Sequence, residues 1–177
     1  MHITPVFAAR ARRAAASSLL GLLVLLGGCA QAPVRRPAAT PPPAPRVWPQ
    51  VPPSNPAAAN NILMRALGLV GTPYRYGGNT PAGGFDCSGL IGYVYRLRAG
   101  LVPPRTVAEL SDFGTPIGAD ALRTGDLVVF GRGRPFHAGI YVGEGRFVHA
   151  PSTGGEVRLD RLRSPYWSRQ ATAFRRP

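Results

Sequence analysis

The chain has 177 residues, enough for one domain with its own core and too few for two of ordinary size. Its 21 basic residues, all of them arginine, outnumber 8 acidic ones and give a formal charge of +13. A surface of that sign draws polyanions such as nucleic acid, anionic lipid or an acidic wall polymer. The N-terminus argues against nucleic acid. Met1 to Gly28 has a positive start (Arg10, Arg12, Arg13), an apolar stretch from Ala14 to Leu26 and small residues before Cys29. That is the layout of a secretory signal peptide, and its apolar run is short for a membrane span.

The cut site is more specific, because Leu26-Gly27-Gly28-Cys29 resembles the lipobox of bacterial lipoproteins. The resemblance implies that Cys29 carries a thioether-linked diacylglycerol and becomes the acylated first residue, so that the chain meets a membrane through this anchor. Two or more acyl chains, at about 0.8 kcal/mol per buried methylene, hold stably where one is marginal. Ala30, where an aspartate would retain a Gram-negative lipoprotein at the inner membrane, implies the outer membrane. From Gln31 to Pro56 proline and alanine dominate, which predicts a solvated polyproline linker. About 26 such residues at roughly 3.1 Å each reach at most about 80 Å. The expected organisation is a signal peptide over 1–28, a lipidated cysteine and linker over 29–56, and a folded domain over 57–177.

In that domain, Asn60 or Asn61 is placed to cap a first helix carrying Ile62, Leu63, Ala66, Leu67 and Val70, stopped by Gly71-Thr72-Pro73. A glycine-rich loop, YRYGGNTPAGG, follows. Cys87, Leu90, Ile91, Val94 and Leu97 then recur at steps of three and four, one face of a second helix that Asp86 can cap and Gly100 can end. Thr106 with Glu109 forms a capping-box pattern. Strands are predicted in DLVVF (126–130), HAGIYVG (137–143), RFVHA (146–150) and EVRLD (156–160), and an apolar pattern around Tyr166, Trp167, Ala173 and Phe174 is expected to close the sheet. Helices followed by strands point to an α+β domain with an antiparallel sheet.

Cys87 stands between an acid and a serine at the start of the second helix, and it can be a disulfide partner, a metal ligand, a packing residue or a nucleophile. A lipidated Cys29 has no free sulfur to share. Two histidines beyond the signal segment, with one cysteine, fall short of four zinc ligands. Burial and reactivity remain, and the first turn of a helix favours a thiolate, more so beside an imidazolium. The available histidines are His137 and His149. If Gly143-Glu144-Gly145 is a three-residue turn pairing Val142 with Arg146, Gly139 lies opposite His149, and both histidines project from one face. A two-residue loop would put them on opposite faces.

Six segments in order, PYRYGG (73–78), GFDCSGL (84–90), VPPRT (102–106), LRTGDLVVF (122–130), HAGIYVGEGRFVHA (137–150) and PYW (165–167), resemble the motifs of the NlpC/P60 cysteine peptidases. The resemblance implies a papain-like α+β fold, with N-terminal helices packed on a small antiparallel β-sheet. It implies Cys87 as nucleophile, His137 as general base, His149 as the residue that orients it, Tyr74 as an active-site lining residue, and no metal or cofactor. Ser88 is either an oxyanion donor or a plain first-turn residue. Tyr76 stands where many members have tryptophan. The implied substrate is peptidoglycan, cut at the D-Ala to diaminopimelate cross-link or at the γ-D-glutamyl to diaminopimelate bond. The alternatives of other classes are a non-catalytic wall-binding lipoprotein and an acyltransferase.

Overall fold

The first helix begins earlier than expected. In the computed structural model, which describes residues 54–152 and 155–177, α1 spans Pro56–Leu67 and is capped by Asn55, whose side chain accepts the Ala58 N–H at 3.0 Å. Pro56, the apparent last residue of the linker, is the first of the helix, because its fixed φ suits that position and its missing N–H is not needed there. Ala59, Ile62 and Ala66 are buried, whereas Leu67 and Val70, expected in the core, are exposed; Leu69 packs inward instead. The signal segment, Cys29 and nearly all of the linker lie outside the described residues. Among the described residues no helix is long and apolar enough to cross a membrane.

The glycine-rich loop holds a small hairpin, β1 (Asn79–Thr80) with β2 (Gly84–Phe85), whose strands of two residues are too short to show a period in the sequence. It feeds directly into α2 (Cys87–Ala99), which Asp86 caps and Gly100 ends in the left-handed conformation at φ 65°. Leu90, Ile91, Val94 and Tyr95 of α2 are fully buried, while Leu97 faces solvent. A short α3 (Val107–Leu110) carries the expected cap, with the Glu109 N–H donating to Thr106 Oγ1 at 3.2 Å.

Six antiparallel strands follow: β3 (Thr115–Ile117), β4 (Leu127–Phe130), β5 (His137–Gly143), β6 (Arg146–His149), β7 (Arg158–Arg161) and β8 (Thr172–Arg176). Their order across the sheet is β3-β8-β4-β5-β6-β7. The C-terminal strand therefore slots between β3 and β4 rather than closing an edge, and Arg176 clamps the buried Asp126 carboxylate through two bonds of 2.9 Å. Trp167 lies in a single helical turn before β8 and not in a strand.

The pleat gives the sheet two apolar faces. Leu127, Val129, Ala138, Ile140 and Val148 join the core formed with α1 and α2. Val128, Phe130, Tyr141 and Phe147 join a second core under Trp167 and Phe174.

The β5–β6 hairpin departs from expectation in an instructive way. Gly143, not Val142, pairs with Arg146, so the turn has two residues, Glu144 and Gly145, both at positive φ. By itself that loop would send the histidines to opposite faces. A bulge between Tyr141 and Gly143 absorbs Val142, and beyond it Tyr141 pairs with Phe147 and Ile140 with Val148. The register in the body of the hairpin is the one the three-residue loop predicted.

Candidate active site

Asp86 organises the entrance to α2. Its Oδ1 accepts the Gly89 N–H at 2.6 Å and its Oδ2 the Gly77 N–H at 2.8 Å, tying the helix end to the glycine-rich loop. Arg105 closes the knot, with its two terminal nitrogens 3.1 and 3.2 Å from the two Asp86 oxygens and a further bond to the Gly77 carbonyl. Ser88 is 3% exposed, and its hydroxyl donates to the Arg105 carbonyl at 2.7 Å. That side chain is committed to holding the loop, which favours the structural reading of Ser88.

Cys87 is a free, partly buried thiol. Burial, then the Asp86 carboxylate, push its pKa up, while the amides of Ala138, Ser88 and Cys87 itself pull the other way. The amides thus soften the effect of burial and Asp86 without overcoming it, contrary to the expectation of a depressed value. Tyr74, half-buried beside the thiol, is pushed up by burial and by the nearness of Cys87 and Asp86. The Ala138 amide matters for position as well. β6 pairs with β5 from Ile140 onward, so Ala138 lies past that ladder and its N–H can turn to the thiol. This brings Cys87 to the chain neighbour of His137.

His137 and His149 meet directly, with Nε2 of the first 2.9 Å from Nδ1 of the second. His149 is fully buried and His137 is 4% exposed. The His137 ring stacks on Trp167 with centroids 5.2 Å apart, and the His149 ring meets Trp167 edge-on at the same separation. Gly139 leaves room for this: a methyl there would come within 2.7 Å of the Phe147 ring, 2.9 Å of the Val148 carbonyl and 3.1 Å of His149 Cβ. Gly139→Ala is therefore expected to lose about 1–3 kcal/mol of stability and to lower turnover about tenfold or more by displacing His149. Urea denaturation and steady-state kinetics on one preparation check both.

The row continues to a residue the sequence reading missed. Asp160, on β7, lies with Oδ2 3.0 Å from His149 Nε2, and the same oxygen accepts from Trp167 Nε1 at 2.7 Å and from Arg158 at 3.1 Å. The His149 N–H is not aligned on that oxygen, so the contact is a bent one. Asp160 sits ten residues beyond the last recognised motif position of the hairpin in an ordinary alternating strand, and only the pairing of His149 with Arg158 across β6 and β7 discloses it. An open recess of about 460 Å³, lined by Ser152, Arg158, Asp160, Tyr166 and Trp167 among others, adjoins the carboxylate.

Burial, then the neighbouring His149, hold the His137 pKa down to about 3; burial holds His149 down to about 4, against the pull of Asp160. Both rings are neutral at neutral pH. Since each imidazole binds its proton near 6.5 once unfolded, the stability they contribute is complete above that pH and is lost as pH falls toward 4 and then 3. The urea midpoint is expected to drop between pH 7 and pH 5, by up to about 2 kcal/mol for each imidazole. An unchanged midpoint would mean that the rings are already charged in the fold. Among the described residues no group of three or more His, Cys, Asp or Glu side chains is arranged to hold a metal ion.

The profile of the NlpC/P60 family matches residues 71–176, from the loop before Tyr74 to the end of β8. The chain belongs to the NlpC/P60 family. Within it, the chain is 42% identical over 123 residues to the murein DD-endopeptidase MepH of Escherichia coli K12, covering 67% of this chain and 44% of that protein. It is 36% identical over 127 residues to the gamma-DL-glutamyl hydrolase of Bacillus subtilis 168, covering 70% of this chain and 30% of that one. The chain thus spans less than half the length of these two curated relatives. The crystal structure of the NlpC/P60 domain of the peptidoglycan hydrolase SagA is similar at a TM-score of 0.58 and 33% identity, over 65% of this chain and 96% of that one. The α+β architecture, helices on an antiparallel sheet, is that of the NlpC/P60 fold.

Proposed function

We propose that this NlpC/P60 chain is a peptidoglycan endopeptidase acting through Cys87, His137 and His149. The single observation that carries the reading is the buried, hydrogen-bonded pair of His137 at the start of β5 and His149 at the end of β6, next to the strand amide that reaches the Cys87 thiol. His137 removes the thiol proton as Sγ attacks a peptide carbonyl, so the nucleophile is made at the moment of attack and not stored as a thiolate. The Cys87 amide, with Tyr74 as the neighbouring donor, faces the developing oxyanion. The His137 imidazolium then protonates the leaving amine, the thioester forms, and water released of a proton by His137 hydrolyses it to the acid and free thiol.

The D-Ala to diaminopimelate cross-link is the favoured bond, on likeness to the DD-endopeptidase at 42% identity. The γ-D-glutamyl to diaminopimelate bond is the second reading, on likeness to the glutamyl hydrolase at 36%. Digesting peptidoglycan with the reduced protein and separating the muropeptides distinguishes them: loss of dimers with intact stems supports the first, shortened stems the second. Unchanged muropeptides, equal to a Cys87→Ala control, would leave the wall-binding reading in its place.

Residues 57–177 would form the working domain, 1–28 the signal peptide and 29–56 the tether, with Cys29 anchoring the chain in the outer membrane facing the periplasm. Release of the chain into the soluble fraction by Cys29→Ser is the expected result, and unaltered membrane association would remove the anchor.

A further inference from the structure

Asp160 terminates a row of polar contacts that begins at His137: 2.9 Å from His137 Nε2 to His149 Nδ1, and 3.0 Å from His149 Nε2 to Asp160 Oδ2. We propose that Asp160 is a positioning residue that fixes the protons on both imidazoles and leaves Nδ1 of His137 as the one basic nitrogen of the pair.

The argument is a matter of donors and acceptors. A carboxylate only accepts, and a neutral imidazole has one nitrogen of each kind. Asp160 Oδ2 is already met by two donors, Trp167 Nε1 and Arg158 Nη2, which hold the group as the anion. Burial alone would raise its pKa; the Trp167 bond, with the charge and hydrogen bond of Arg158, counters that and lowers it. An anionic oxygen 3.0 Å from His149 Nε2 requires a proton on that nitrogen, since the alternative sets lone pair against lone pair. His149 Nδ1 is then an acceptor, so His137 Nε2 carries the proton it shares with it. His137 Nδ1 is left with its lone pair free. With the carboxylate absent, each ring could adopt either tautomer, and half of the arrangements present an N–H where a base is needed.

The same row has a second effect once His137 takes a proton from the thiol. The pair becomes cationic, and the Asp160 charge stabilises it through His149. The bent His149 to Asp160 contact is the one that can straighten as charge develops, as catalytic hydrogen bonds in a free enzyme commonly do. The open recess beside Asp160 leaves one side of the carboxylate open to water, and the Trp167 and Arg158 donors offset the cost of burying the rest.

The kinetic consequence rests on the hydrolase reading, but the proton arrangement does not, and the experiment separates the two. Two-bond proton–nitrogen spectra of the full-length protein labelled with ¹⁵N-histidine, at pH 7, are expected to give protonated Nε2 and unprotonated Nδ1 on both His137 and His149. Asp160→Ala is expected to mix the tautomers and to lower kcat by about ten- to a hundredfold with KM within about twofold. Asp160→Asn, which retains an oxygen acceptor without the charge, is expected to keep the tautomers and lose less than the alanine variant. A proton on Nδ1 of His137 in the unaltered protein overturns the proposal, as does an Asp160→Ala variant with unchanged tautomers. If the alanine variant does not fold, the spectrum of the unaltered protein decides. Should that spectrum be as expected while the protein leaves peptidoglycan uncut, the hydrolase reading fails and the proton arrangement stands.

Discussion

Replacing His137 by glutamine is expected to lower kcat on cross-linked peptidoglycan by about 10³- to 10⁴-fold. The size of the effect follows from the state of the thiol. Burial and Asp86 push the Cys87 pKa up, so at neutral pH the sulfur is protonated and has no nucleophilicity of its own to fall back on. In a site with a stored thiolate, losing the histidine would spare the attack and slow only departure of the amine. Here both steps need it. Alkylation of Cys87 by iodoacetamide at pH 7 should therefore slow in the same variant, which separates loss of the base from loss of substrate binding. The acid sensitivity of the fold should also fall by about half between pH 7 and pH 5, because one of the two neutral buried imidazoles is gone. A variant that keeps its alkylation rate and its turnover would exclude His137 from the chemistry.

Gly89→Ala is expected to be the most damaging small substitution in the domain. A methyl at this position would lie 1.9 Å from the Gly78 carbonyl oxygen and 2.8 Å from Arg105 Nη1. The guanidinium end can move, but the carbonyl cannot move alone: it accepts the Asp86 N–H at 3.1 Å, and Asp86 in turn caps the helix and holds Gly77. Relief therefore means pulling the loop of residues 73–78 off the first turn of α2. We expect a loss of about 3 kcal/mol, seen as a fall of roughly 10 °C in Tm. Activity should fall further than stability, since Tyr74 and the Cys87 turn separate. Gly92→Ala is the control: its nearest neighbour would be the end of the Arg96 side chain at 3.5 Å, an ordinary contact. The two glycines look alike in the sequence, three residues apart on one helix, yet only Gly89 is packed against backbone.

Much of the molecule was legible because short-range rules act alone there. Asp86 and Thr106 each cap a helix through a bond from the amide three residues on, and Gly100 ends one in the left-handed conformation, features visible in spacing and residue type. The strands β4, β5 and β6 carry the branched and aromatic runs of a sheet buried on both sides. What was misread depends on the partner across space. Asn60 and Asn61 are as good caps as Asn55, and Pro56 decides among them. Leu97 keeps the helical step of its neighbours yet is exposed, because no element among the described residues covers it. β8 slots beside β4, a neighbour some forty residues away, through the Arg176 to Asp126 clamp. Asp160 acquires its meaning from a strand pairing, β6 with β7, and nothing in its local sequence distinguishes it.

The bulge at Val142 settles what length changes this hairpin tolerates. Between His137 and His149 the chain must keep one parity, since an odd shift in pairing turns every side chain of one strand to the opposite side. Val142 is the one residue outside the count. Deleting it leaves Tyr141 opposite Phe147 and the histidines together, while deleting Phe147 with the bulge kept sets Ile140 opposite His149 and separates them. A hairpin one residue shorter can thus carry the same pair, so that loop length there is free to drift in descent while the two imidazoles stay in step.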